Sequence, residues 1–204
     1  MPKRPQYHHG DLRAALLDAA RAIVLRGDAQ QLSLRKLARD AGVSSAAPYH
    51  HFKDRPSLFA TLAVEGFDAL DAALNEACTG LQDAEHVLAT SCARYVTFAI
   101  EHAAHYRLMF SRDYADPDAF ADYHDAAQRS FGTLMAKVSA VRPGSGLSEL
   151  FERTTAIWAM AHGMVQLAND DILGSMIDTP ALARRAGRLA VEVARGRDAD
   201  GPHT

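Results

Sequence analysis

Apolar residues recur every three or four positions along almost the whole chain, and nowhere do they alternate as a half-buried strand would. Leu12, Leu16, Ala19 and Ile23 form one stripe, and Leu34, Leu37, Ala38 and Ala41 a second. Phe59, Leu62, Phe67, Leu70, Leu74, Ala77 and Leu81 form a third. A chain patterned this way builds its core by packing helix on helix, so the expected fold class is all-α. At 204 residues it can bury a sizeable core without a metal or disulfides.

Glycine, proline and small polar residues punctuate the stripes. The spacing predicts a helix over 11–26 that stops at Gly27, then a short helix capped by Ser33 and ended by Gly42. A third, of two turns, is expected from a cap at Ser44 or Ser45 to Phe52. With Asp54 as cap and Pro56 in the first turn, a long helix is expected over 56–81, with Gly66 as a point of bending. Further helices are expected near 83–101, 103–111, 117–140, 147–169 and 179–196, separated by Asp116-Pro117, by Pro143-Gly144-Ser145-Gly146 and by Asp178-Thr179-Pro180.

Several chemistries lack an anchor. There is no HExxH, no Glu-x-x-His pair of the di-iron type, no P-loop, no GxSxG and no complete GxGxxG. His102 and His105 share a helix face, but no second ligand pair accompanies them, so neither a metal nor another cofactor is expected. Cys78 and Cys92 have no CxxC spacing and read as reduced core thiols. The first residues carry Lys3 and Arg4 but no apolar stretch behind them, and the longest mostly apolar run, 156–168, is too short for a span of roughly 20 residues. A cytoplasmic chain with no membrane partner is therefore expected.

The informative block is Ser33 to Phe52. Two short helices meeting at a sharp turn need a small residue where they cross and one that tolerates positive φ at the turn; Ala38 and Gly42, four apart, meet both needs. In a helix-turn-helix the second helix enters the major groove, so small or hydrogen-bonding side chains must stand near its start. Ser44, Ser45, Ala46 and Ala47 fit that requirement, and Pro48 falls in the first turn. Tyr49, His50, His51 and Arg55 are good phosphate donors, while Ser33, Arg35 and Lys36 are phosphate clamps or solvated charges. Charge agrees with this placement. Up to Arg55 there are ten Lys/Arg against five Asp/Glu, and after it twelve against twenty, for an overall net charge of -3. A basic head facing phosphate and an acidic body repelled by it orient such a molecule on DNA. The basic leader at Lys3 and Arg4 is an additional candidate arm.

The block resembles the DNA-binding domain of the tetracycline-repressor (TetR) family. The residues that carry the likeness are Ala41-Gly42-Val43-Ser44, Tyr49-His50-His51-Phe52, Arg55 and Leu58. The opening Tyr7-His8-His9-Gly10-Asp11-Leu12-Arg13 and the later Trp158-Ala159-Met160-Ala161-His162-Gly163 are similar to features of one subgroup. Ala46 and Ala47 depart from the family's usual Gly and Thr, Pro48 from Leu, and Arg55 from Lys.

The resemblance implies a three-helix helix-turn-helix DNA-binding domain over 1–55 with its basic arm, and a larger helical effector-binding and dimerisation domain over 56–204. It implies an effector pocket in the region of Phe67, Tyr95, Phe98, His102 and Met109, with Phe110, Tyr123, Phe131, Trp158 and His162. Around Trp158 the sequence is apolar nearly all the way round, so a helix there needs cover on several sides. A homodimer through a four-helix seam would supply it, using Ile157, Met160, Gly163, Met164 and Leu167 with Leu182, Ala186, Leu189 and Val193 of the final helix. The expected function is a homodimeric transcription regulator, a repressor that a small-molecule effector releases from a pseudo-palindromic double-stranded operator. Two other classes stand beside it: a helical small-molecule-binding protein or enzyme without a DNA role, and an effector-independent activator or architectural dimer.

Overall fold

The structure is a computed structural model that describes residues 9–114, 116–170 and 178–196, with backbone alone for 9–11. Among the described residues there are eight α-helices and no strand. They are α1 (His9–Leu25), α2 (Leu34–Asp40), α3 (Arg55–Ala77), α4 (Ala84–Glu101), α5 (Ala103–Met109), α6 (Ala121–Val141), α7 (Leu147–Asn169) and α8 (Thr179–Arg195). Single 3-10 turns occupy Ala29–Gln31, Ala47–His50 and Arg112–Tyr114. The all-α expectation is met.

The first two helices end in the same way. After α1, Gly27 adopts φ +82° while its N–H donates to Val24 O at 2.9 Å and Asp28 N–H reaches back to Ile23 O at 3.2 Å. After α2, Gly42 adopts φ +68°, its N–H donates to Arg39 O at 3.1 Å and Val43 N–H to Ala38 O at 3.0 Å. These paired bonds satisfy carbonyls that the last helical turn leaves open, and the left-handed residue reverses the chain at little steric cost only if it is glycine. At the N-termini, Ser33 Oγ accepts from Lys36 N–H at 3.2 Å. Asp54 and Ser57 close a reciprocal box at the start of α3: Ser57 N–H donates to Asp54 Oδ1 at 2.8 Å and Asp54 N–H to Ser57 Oγ at 3.1 Å.

The chain divides into two compact units, each discontinuous in sequence. Of the described residues, the first contains those up to Gly66 together with those of 104–125; the second contains Phe67–Ala103 and those from Ala126 onward. The core of the first holds Leu16, Leu37, Leu58, Leu62 and Tyr114, all essentially without exposure. Each such leucine contributes about 2 kcal/mol by leaving water. Gly66 lets α3 and α5 approach closely, since a Cβ there would sit 2.7 Å from Met109 Cγ.

In the second unit α4, α7 and α8 pack together. The face α8 buries is made of small residues, Ala183, Ala186, Gly187, Ala190 and Ala194. A Cβ on Gly187 would stand 2.5 Å from the Ala89 carbonyl of α4, so the two backbones are nearly in contact. Arginines serve the end of α8: Arg153 donates to Val193 O at 2.6 Å and Arg142 to Arg195 O. Positive charge there also complements the helix dipole.

Four boundaries differ from the sequence reading. The expected third helix, capped by Ser44 or Ser45, is instead a turn leading into the 3-10 segment Ala47–His50, and its N-terminal flank, Ala46, makes no side-chain cap. Pro48 has no N–H to continue an α-helical ladder, and the bonds up to Tyr49 are the tighter ones, Ala47 N–H to Ser44 O and Tyr49 N–H to Ala46 O, with a single α-type bond, Phe52 N–H to Pro48 O, at the exit. Helix α3 stops at Ala77, not near residue 81, because Gly80 adopts φ +81°. Helix α6 begins at Ala121, since Asp116 spends its side chain on Asp118 N–H in a local turn. The compact units part at Gly66 and not after Arg55, because the first turns of α3, through Leu58, Phe59, Leu62 and Ala63, belong to the head's core.

Candidate nucleic-acid interface

Helix α2, the glycine turn and the 3-10 segment together present one outward set of side chains. Leu34, Leu37 and Ala38 anchor α2, and Pro48 and Phe52 anchor the 3-10 segment and its exit, so the residues between the anchors are forced outward. Ser44, Ser45, Ala46, Tyr49 and His50 are exposed, Tyr49 by 49%. An exposed tyrosine of that extent on a rigid turn is an aromatic hydroxyl available to a partner. Ser33 and Arg35 are exposed and Lys36 is half-buried. Arg35, Lys36 and the neighbouring Lys53 enter no ion pair among the described residues, so no described carboxylate neutralises their charge.

Three predicted contact residues point elsewhere. Ala47 packs against the head's core. His51 is half-buried, with Nε2 enclosed and unpartnered. Arg55 turns inward: Nη2 donates to Ala29 O at 3.0 Å and the guanidinium lies 4.5 Å from the Phe59 ring centroid. The basic leader at Lys3 and Arg4, and the motif residues Tyr7 and His8, lie outside the described residues.

At the exit of the 3-10 segment, within the same unit, lies a half-open cleft of about 520 Å³. Arg13, His51 and Lys53 line it with Asp118, Asp122 and Tyr123. Arg13 also lies over the Phe52 ring at 5.4 Å. Arg13 and Lys53 were not singled out from sequence, although both fall among the head's excess cations.

The residues expected to line an effector pocket fall in both units. Met109, Phe110 and Tyr123 belong to the head: Tyr123 hydroxyl donates to Met109 O at 2.9 Å, and the Tyr106 and Phe110 rings lie 4.8 Å apart. Burial pushes the phenols of Tyr114 and Tyr123 up. In the second unit Phe67, Tyr95 and Phe98 are buried. Trp158 Nε1 donates to Tyr95 hydroxyl at 3.3 Å, and the Trp158 ring lies 6.2 Å from Phe131 and 5.8 Å from His162. His102 is exposed at the end of α4 with its ring 4.5 Å from Phe98, and so is not an enclosed anchor. His105 is tied to Leu62 O through Nε2 at 2.8 Å. Among the described residues no group of three His, Cys, Asp or Glu could hold a metal.

Of the expected seam, Ile157 and Ala186 are already fully buried within one chain and so belong to its own core. Met160, Gly163, Met164, Leu182, Leu189 and Val193 are partly open, and Leu167 is 42% exposed. On α7, Leu147, Phe151 and Trp158 are exposed as well. No helix among the described residues is long and apolar enough to cross a membrane.

Residues 16–62 match the family model for bacterial regulatory proteins of the tetR family, and residues 88–192 match that for tetracyclin repressor-like C-terminal domains. The chain is 33% identical over 72 residues to the HTH-type transcriptional repressor Rv1474c of Mycobacterium tuberculosis, a match spanning 35% of this chain and 38% of that relative's length. A protein of unknown function from Rhodococcus sp. RHA1 is 32% identical, with 92% of this chain and 97% of that one covered and a TM-score of 0.76. The fold is also similar to that of the TetR family regulator PfmR from Thermus thermophilus, at 19% identity, 90% and 98% coverage and a TM-score of 0.63.

Proposed function

The chain belongs to the TetR family of bacterial regulatory proteins, and on that premise we propose that it is a DNA-binding transcriptional regulator, a cytoplasmic homodimeric repressor released from a pseudo-palindromic operator by a small-molecule effector. The observation that carries the reading is the exposed set Ser44, Ser45, Ala46, Tyr49 and His50, flanked by the un-neutralised Arg35, Lys36 and Lys53. Small residues leave room for approach to base edges, and the hydroxyls, imidazole and cations supply phosphate donors. Arg55 contributes by holding the head together. No catalytic role is assigned to any residue.

Two further observations support a dimer. Helix α7 exposes Phe151, Trp158 and Leu167. Gly163 lies in the interior of the same helix, where glycine costs about 1 kcal/mol relative to alanine. Among the described residues nothing lies within 4 Å of a Cβ placed there. A close approach by a second copy would explain why this position has no side chain. Such a dimer would set two recognition turns in successive major grooves. Helix α3 runs unbroken from the first unit into the second, so an effector in the second unit that favours one disposition of α3 would shift the population away from the DNA-binding form. Nuclease footprinting on the DNA upstream of the chain's own gene tests the reading: it predicts one protected, near-palindromic tract, and uniform protection or none overturns it.

A further inference from the structure

Helix α6 carries a lysine on an apolar face. Leu134, Val138 and Val141 pack with Leu88, Cys92 and Ile157 in the core of the second unit, and Lys137 lies beside them on the same helix as a half-buried residue. Its Nζ is enclosed and has no hydrogen-bond partner among the described residues. Asp71 of α3 and Cys92 of α4 both feel its charge, which places the ammonium where three helices meet. Neither is an ion-pair partner. Asp71 Oδ1 accepts from Ser130 Oγ at 2.8 Å, and burial pushes its carboxyl up; burial also pushes the Cys92 thiol up to about 12.

An enclosed ammonium whose donors meet no acceptor has lost hydration without a hydrogen bond to replace it, which is unfavourable. A hydrocarbon side chain of similar length would fill the same space without that cost. The arrangement is resolved if the missing partner is an anion that comes from outside.

We propose that Lys137 is the anchor for an anionic effector, a small organic monocarboxylate whose apolar body lies among the aliphatic side chains around it. This rests on the effector-responsive reading above and specifies the ligand's class. One cation matches one negative charge. A phosphate dianion would need further donors and would be opposed by Asp71 nearby, so a carboxylate fits better. Binding would give the ammonium its partner and brace α6 against α3.

Thermal unfolding of the full chain, without DNA, tests this with sodium benzoate and sodium octanoate, each against its amide, benzamide and octanamide. At least one acid is expected to raise Tm by several degrees at millimolar concentration while its amide does not, because only the state with an anion partner is stabilised. Lys137→Met should abolish that rise, and without ligand it should melt no lower than wild type, since an ammonium without a hydrogen-bond partner has been removed. Equal shifts by acid and amide, no shift by either acid, or an acid shift that survives in Lys137→Met would each overturn the proposal. A Lys137→Met variant that melts well below wild type would also overturn it, by showing that the charge is structural. Binding to the upstream DNA, measured in parallel without acids, reports on the regulator reading separately: its loss leaves a carboxylate site at Lys137 standing, and its presence does not rescue one.

Discussion

The Arg55 guanidinium donates to the carbonyl of Ala29 at 3.0 Å, so a side chain at the start of the long helix holds a turn 26 residues earlier in the chain. The same group lies over Phe59, 4.5 Å from its ring centroid. Sequence pattern places this residue at the DNA surface; its contacts make it a brace within the head. Arg55→Ala is therefore expected to lower stability by about 1.5–3 kcal/mol, the range for a hydrogen bond to a charged group. Thermal unfolding checks this. An unchanged Tm together with a large loss of DNA affinity would return Arg55 to the phosphate-contact set.

Tyr49 is expected to behave oppositely. It is 49% exposed, so Tyr49→Ala should change stability by no more than about 0.5 kcal/mol. DNA affinity should fall about tenfold, or ~1.4 kcal/mol. Lys36→Gln should weaken binding to all sequences alike and reduce the slope of log affinity against log salt by about 1. Fluorescence anisotropy across a salt series measures both; full affinity in Tyr49→Ala would remove that residue from the interface.

The glycines of α7 and α8 give a contrasting pair. Gly187→Ala places a methyl 2.5 Å from the Ala89 carbonyl, a rigid backbone neighbour, and should cost about 1–3 kcal/mol through separation of α4 and α8. A Cβ at Gly163 meets nothing within 4 Å among the described residues, so the protomer should remain folded in Gly163→Leu. If a second copy approaches there, the sedimentation mass should fall from dimer to monomer. A wild-type chain that is monomeric at micromolar concentration, or a dimer indifferent to Gly163→Leu, would contradict the proposed seam.

Much of this was legible because short-range chemistry decides it. Gly27, Gly42, Ser33 and Asp54 mark helix ends through bonds to residues no more than five positions away, and the sequence reading placed those ends where the structure has them. The 3-10 segment was misread because Ser44, Ser45 and Pro48 look like a cap and a first turn, and sequence does not reveal that the Pro48 ring is buried. Long side chains were harder still. Whether Arg55 faces solvent or Ala29, and whether Lys137 emerges from its apolar face or stays enclosed, depends on neighbours distant in sequence. The grouping of Met109, Phe110 and Tyr123 with the head depends on the return of Ala104–Asp125 to it, which no local pattern encodes.

His162 should make stability sensitive to acid. Burial lowers its folded pKa below the usual 6.5, so the unfolded chain takes up the proton first as pH falls. Stability from this group is thus complete above about pH 6.5 and is lost progressively below it, down to the folded pKa. Denaturant titrations of wild type and His162→Gln at pH 8 and pH 5 should show a smaller acid loss in the variant. Equal losses would mean that the imidazole is as well solvated folded as unfolded.

Reading of a specific DNA sequence is the role proposed for the Ser44–His50 surface. Its most direct measurement is the ratio of dissociation constants for the chain's own upstream DNA and a shuffled duplex of equal length, at physiological salt. A specific regulator should prefer its own site by at least about 10³, and Tyr49→Ala should reduce that preference. Equal affinity for the two duplexes would contradict the account, because the head's excess positive charge alone would then explain all binding.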